Sequence, residues 1–103
     1  MPISQGTGMQ WGQLTVVSGS QVGMSFPLNK PTMTIGKNGD VAIQDEKVSS
    51  RHFQLEQRGA QAFLTDLNFI QQTKVNNQLV ADATLNGGEI IRVGNTELRF
   101  DRG

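Results

Sequence analysis

The stretch Glu89-Ile90-Ile91-Arg92-Val93-Gly94-Asn95-Thr96-Glu97-Leu98-Arg99-Phe100 decides the fold class of this chain. On both sides of Gly94-Asn95, apolar positions (Ile91, Val93, then Leu98, Phe100) alternate with charged ones (Arg92, then Glu97 and Arg99). A period of two is the period of a half-buried strand. A Gly-Asn pair between two such runs supplies the positive φ of a two-residue hairpin. The segment therefore predicts two antiparallel strands joined by a tight turn.

Outward from this hairpin the same pattern repeats, and no helical stripe of useful length interrupts it. Val75-Asn76-Asn77-Gln78-Leu79 predicts another hairpin, because asparagine tolerates the left-handed conformation of a type I′ turn. Phe53 and Leu55, then Ala62 and Leu64, predict a hairpin across Arg58-Gly59-Ala60. Nearer the N-terminus lie the short runs Gln13 to Val17, Met24 to Leu28, Thr32 to Ile35 and Val41 to Ile43, each bounded by Gly, Ser, Asn, Asp or Pro. Many short strands at close spacing, with apolar and polar positions alternating, predict an all-β sandwich of two packed antiparallel sheets.

At 103 residues the chain is the size of one domain with a single modest core. Nine basic and nine acidic side chains cancel, so no global field favours nucleic acid or an anionic membrane surface. The absence of cysteine removes disulfides, thiol nucleophiles and thiolate metal sites, and one histidine is too few for an ordinary zinc site. No apolar run reaches the ~18 residues of a membrane span. These features predict a cytoplasmic protein with no metal or other cofactor. Residues 1–10, rich in Ser, Gln, Gly and Met without periodicity, read as a flexible leader to a domain at 11–103.

Two loop segments gather the chemistry. Ile35-Gly36-Lys37 brings a cation, and Val48-Ser49-Ser50-Arg51-His52 brings two hydroxyls, a guanidinium and the single histidine. Hydroxyls beside fixed cations suit an oxygen-rich anion, whose oxygens accept charge-assisted hydrogen bonds. In a sandwich, loops cluster at the sheet ends, where both segments can share one site. A hydrolytic reading has Ser49, His52 and Asp66 as its only candidate set. It lacks a nucleophile elbow and an oxyanion-hole glycine run, so no enzyme is expected.

Six short pieces in order resemble the forkhead-associated (FHA) domain. They are Ile35 to Lys37, Gly39 to Ile43, Val48 to Phe53, Leu64 to Asp66, Thr73 to Asn76 and Leu85 to Gly94, within a similarity covering roughly residues 12 to 101. The resemblance implies a β-sandwich of eleven short strands that binds phosphothreonine peptides through loops at one end. It places Ser49 at the phosphate-binding serine, Ser50 at the adjacent loop position and Lys37 where the family has arginine. Gly36 and His52 take loop-structural roles, His52 as the brace. Arg51, with Asn68 and Gln71 of a later loop, would read neighbouring peptide positions.

That later loop departs from the family's Asp-x-x-Ser-x-Asn-Gly-Thr. Here it reads Asp66-Leu67-Asn68-Phe69-Ile70-Gln71-Gln72-Thr73, without Asn-Gly and with apolar Phe69 and Ile70 where polar contacts are expected. Lysine for arginine also exchanges a planar fork for a point charge. The expected function is recognition of a phosphorylated protein or peptide in signalling. The alternative is a degenerate FHA-like domain that binds proteins without phosphate, using Phe69 and Ile70. Other domains of a longer parent chain are further expected partners; nucleic acid and membrane are not.

Overall fold

The computed structural model describes residues 10–68 and 72–103. Their strands are β1 (Gly12–Ser18), β2 (Ser25–Leu28), β3 (Thr32–Gly36), β4 (Val41–Ala42), β5 (Phe53–Arg58), β6 (Gln61–Asp66), β7 (Thr73–Val75), β8 (Gln78–Val80), β9 (Asp82–Leu85), β10 (Ile90–Val93) and β11 (Thr96–Arg102). They form two sheets, one in the order β2-β1-β11-β10-β7-β8 and the other β4-β3-β5-β6-β9. None of the described residues forms a helix long and apolar enough to cross a membrane.

The turns follow from their residues. Gly94, with φ 59°, closes β10 and β11 so that Val93 pairs with Thr96, and positive φ at the first turn position alone is the type II′ pattern. Asn76 (φ 50°) and Asn77 (φ 71°) are both left-handed, as a type I′ turn demands, and Val75 pairs with Gln78 across them. Gly59, with φ 62°, turns β5 into β6 at the pair Arg58–Gln61.

The two sheets pack through their alternating inner faces. Leu14, Val16, Ile91, Val93, Leu98 and Phe100 come from the first, and Met33, Ile35, Phe53, Leu55, Leu64 and Leu85 from the second. Ile43 and Val48 are also buried, although they lie in the β4–β5 loop rather than in a strand. Each such side chain gives about 1.5–3 kcal/mol on leaving water. The loop that carries the serines is thereby anchored in the core at both ends.

The two sheets and eleven strands are those expected, with one strand unread in the sequence and one pairing of different sense. The strand β9 did not show in the sequence pattern, because Asp82-Ala83-Thr84 offers little β propensity; pairing with β6 (Ala62–Leu85 through Thr65–Asp82) makes it a strand. The sheets are also not wholly antiparallel, since β3 and β4 run parallel through Ile35–Val41 and Gly36–Ala42. Only residues 37–40 separate these strands, and glycine makes that possible. A Cβ on Gly39 would collide with the backbone carbonyl of Thr34, and one on Gly36 with the carbonyls of Ser50 and Ser49.

Candidate functional site

The β3–β4 and β4–β5 loops are stitched together by backbone hydrogen bonds at one end of the sandwich. The Lys37 N–H donates to the Ser49 carbonyl at 2.9 Å, and the Asn38 N–H to the Ser50 carbonyl at 3.1 Å. The bare face of Gly36 lets these strands of loop approach so closely. Lys37, Ser49 and Ser50, thirteen residues apart at most, are thus held side by side at one sheet end.

The Lys37, Ser49 and Ser50 side chains each have a defined partner. The Lys37 ammonium rests on the Glu46 carbonyl at 3.3 Å, a long bond for a charged donor. The Ser49 hydroxyl donates to the Arg51 carbonyl at 2.9 Å, across its own turn. The Ser50 hydroxyl accepts from the Asn38 amide at 3.1 Å, which leaves its own proton free to donate outward. Lys37, Asn38, Ser50 and Arg51 are exposed, whereas Ser49 is half-buried. Lys37 and Asn38 line a cavity of about 550 Å³ with Ile43, Gln44, Asp45 and Glu46; Ser49 does not line it.

His52 joins three segments and is fully buried. Its N–H donates to the Ile35 carbonyl of β3 at 2.8 Å, and its carbonyl accepts from Leu67 of the β6–β7 loop at 2.9 Å. Its Nδ1 accepts the Ser49 N–H at 3.2 Å, so the neutral ring carries its proton on Nε2. That contact reaches the Ser49 backbone and not its hydroxyl, while Asp66 accepts the Thr73 hydroxyl at 2.8 Å. The latter bond closes the base of the β6–β7 loop. Asn68 sits half-buried on that loop; Gln71, with Phe69 and Ile70, lies outside the described residues.

Sequence reasoning missed Asp45. Its Oδ1 accepts the Lys47 N–H at 2.9 Å, and its Oδ2 accepts the Asn95 N–H and the Thr96 hydroxyl, both at 2.8 Å. One carboxylate therefore ties the serine loop to the turn between β10 and β11. The Asp-x-Lys-Val spacing of an Asx turn hinted at the local half of this, but the bond across fifty residues left no local trace. Partial burial works against the charge, yet the hydrogen bonds from Lys47, Thr96 and Asn95 outweigh it and hold the carboxyl below its usual range. Asp40 is likewise held low, first by the Thr34 N–H and then by Lys30 at 2.9 Å, with the Arg51 guanidinium adding to the pull.

A depressed carboxyl stabilises the fold above its unfolded value, near pH 3.9, and loses that stabilisation as pH falls through the lower folded value. Asp45→Asn is accordingly expected to melt at a lower temperature than the parent at pH 7. The gap should close as the pH falls from about 5 to 2. A gap that stays constant over that range in thermal melts contradicts the assignment.

Among the described residues no group of three His, Asp or Glu side chains is placed to hold a metal ion. Comparison with known proteins fits this loop architecture. The family model described as "Inner membrane component of T3SS, cytoplasmic domain" (Yop-YscD_cpl) matches residues 15–103. The glycogen accumulation regulator GarA of Mycolicibacterium smegmatis is 30% identical over 89 residues, covering 84% of this chain and 56% of its own length. The FHA domain-containing protein FhaA of Mycobacterium tuberculosis is 35% identical over 78 residues, covering 74% of this chain and 15% of the relative. This chain thus spans about half of one relative and a small part of the other. A solved FHA domain, studied for phosphothreonine-dependent interactions, superposes with a TM-score of 0.80 at 31% identity, covering 88% of this chain and 95% of that one. By fold and by sequence the chain is a forkhead-associated domain, and it belongs to the Yop-YscD_cpl family.

Proposed function

We propose that this chain is a non-catalytic recognition module that docks a phosphothreonine segment of a partner protein. The observation that carries this reading is the pair of backbone bonds from Lys37 and Asn38 to the Ser49 and Ser50 carbonyls, which set one ammonium and two hydroxyls at the same sheet end. The related FHA domain studied for phosphothreonine-dependent interactions supports it. The family's description as a cytoplasmic domain supports placing the module in the cytoplasm.

A phosphothreonine carries about −1.5 to −2 charge at pH 7 and three acceptor oxygens. The Lys37 ammonium would leave the Glu46 carbonyl for the phosphate, trading a neutral acceptor for a charged one. Ser50 would donate with its free hydroxyl proton while Asn38 keeps the oxygen in place. Ser49 would turn its hydroxyl from the Arg51 carbonyl to the phosphate. Arg51 and Asn68 would contact positions flanking the phosphothreonine, with Gln71 in the same role. His52 acts by holding the Ser49 backbone and the two loop bases, without touching the ligand.

A phosphothreonine peptide library is expected to bind at least tenfold more tightly than its unphosphorylated copy. Ser49→Ala and Lys37→Ala should each weaken binding roughly five- to tenfold, the loss of a bond worth about 1–1.4 kcal/mol. Equal binding of both peptide forms, or an affinity indifferent to Ser49→Ala, overturns the proposal. A partner that stays bound after phosphatase treatment would instead favour phosphate-independent recognition.

A further inference from the structure

The β7–β10 register sets Lys74 directly opposite Arg92, and both side chains are exposed. Like charges facing each other on neighbouring antiparallel strands oppose the pairing unless an anion lies between them. A third cation, Lys47 of the β4–β5 loop, joins them around a cavity of about 360 Å³ completed by Gln72, Gly94 and Asn95. The chain as a whole is neutral, so this is a local excess of positive charge.

Little within the described residues neutralises it. Arg92 meets the Glu97 carboxylate only at 3.9 Å and leans on the Gly94 carbonyl at 3.4 Å. Asp45 lies near Lys47, but its oxygens already serve the Lys47 and Asn95 N–H groups and the Thr96 hydroxyl. The Lys47 and Lys74 ammonium groups hold no hydrogen bond or ion pair among the described residues. Three cations from three segments, with two side-chain amides beside them, form a receptor for several carboxylates at once.

The carboxylates of Asp45 and Glu46 bound this cationic patch on one side. The cavity itself shares Lys47 and Asn95 with a second cavity of about 360 Å³, which in turn shares Gln44, Asp45 and Glu46 with the one lined by Lys37. Carboxylates spaced along an extended chain can reach cations on three separate segments, whereas an isolated ion meets fewer of them. We propose that the Lys47–Lys74–Arg92 cavity binds a run of Asp or Glu side chains in an extended segment of a partner protein. The interaction does not depend on phosphothreonine recognition by the Lys37–Ser49 loops.

The test is a titration of the full chain, followed by amide NMR, with an unphosphorylated hexaglutamate peptide at low and physiological salt. Inorganic phosphate and a short oligonucleotide serve as separate arms. Saturable shifts are expected at Lys74, Arg92, Gly94 and Asn95, weakening at the higher salt. Lys74→Glu should lower the affinity at least fivefold in a protein whose other amides stay unshifted, and Lys47→Ala should lower it less. Arg58→Glu, an exposed charge reversal on the other sheet, should leave it unchanged. The proposal is overturned by the absence of saturable shifts, by shifts centred on Lys37 to Ser50, or by an unaltered affinity in both lysine variants. It also fails if phosphate or the oligonucleotide saturates the same amides at equal or lower concentration.

Discussion

Replacement of Gly36 by alanine is expected to lower stability by about 3–5 kcal/mol and the melting temperature by roughly 15–25 °C. The cause is contact, not conformational freedom, because Gly36 does not have a positive φ. A Cβ there falls on the Ser50 carbonyl and lies 2.7 Å from the Ser49 oxygen. Both neighbours are backbone and cannot swing aside as a flexible side chain would. The serine loop must retreat, which breaks the bonds from Lys37 and Asn38 and strains the Ile43 N–H bond to the Gly36 carbonyl. Each lost bond costs about 1 kcal/mol, and forcing atoms into a packed site typically adds 1–3 kcal/mol. Phosphopeptide affinity should fall together with stability, since the displaced atoms position Lys37 and the serines. Thermal unfolding followed by circular dichroism is the direct measurement. A melting temperature within about 3 °C of the parent would mean that the loops separate without cost.

His52→Ala is the second large effect, expected at about 3 kcal/mol. The side chain is fully buried, so its removal leaves a cavity that the surrounding core and loop residues fill only in part. It also leaves the Ser49 N–H without the Nδ1 acceptor that now lies at 3.2 Å. An orphaned, partly buried N–H adds about 1–3 kcal/mol to the cost of lost packing. The His52 backbone bonds to Ile35 and Leu67 remain possible in the variant, so the sheets should survive while the serine loop loosens. Hydrogen exchange should therefore quicken at Ser49 and Ser50 more than at Leu55 or Leu64. Uniform acceleration across both sets would make His52 a general core residue with no special hold on the loop.

The legible parts of this fold were those written locally. Gly94-Asn95, Asn76-Asn77 and Gly59 announced their turns because positive φ has few residue solutions, and each turn stands where the sequence puts it. The strand β9 was hidden because its partner β6 lies some twenty residues upstream and its own Asp-Ala-Thr-Leu alternation is short, with only Leu85 strongly apolar. The parallel pairing of β4 was hidden for a related reason, since it rests on glycine faces meeting distant carbonyls. At the site, the Ser49-to-His52 cluster was visible as a motif, whereas Asp45 looked like any loop aspartate. Its importance comes from Asn95 and Thr96, which no spacing rule connects to it. The Lys74–Arg92 confrontation likewise exists only once strand register is known.

The ends of the described domain leave the sandwich as neighbours. Gly12 pairs with Arg102, and the Gly103 N–H donates to the Trp11 carbonyl at 3.0 Å. The strand β11 begins at Thr96, beside Asp45 of the β4–β5 loop, and its last residue is Arg102, about 20 Å away along the strand. A host polypeptide that enters and exits here would meet a gap of only a few ångströms. Insertion into a surface loop of another protein would then cost little loop-closure entropy. The module has the geometry of a plug-in cassette, with its two leads together at the base and the β3–β4 and β4–β5 loops at the tip.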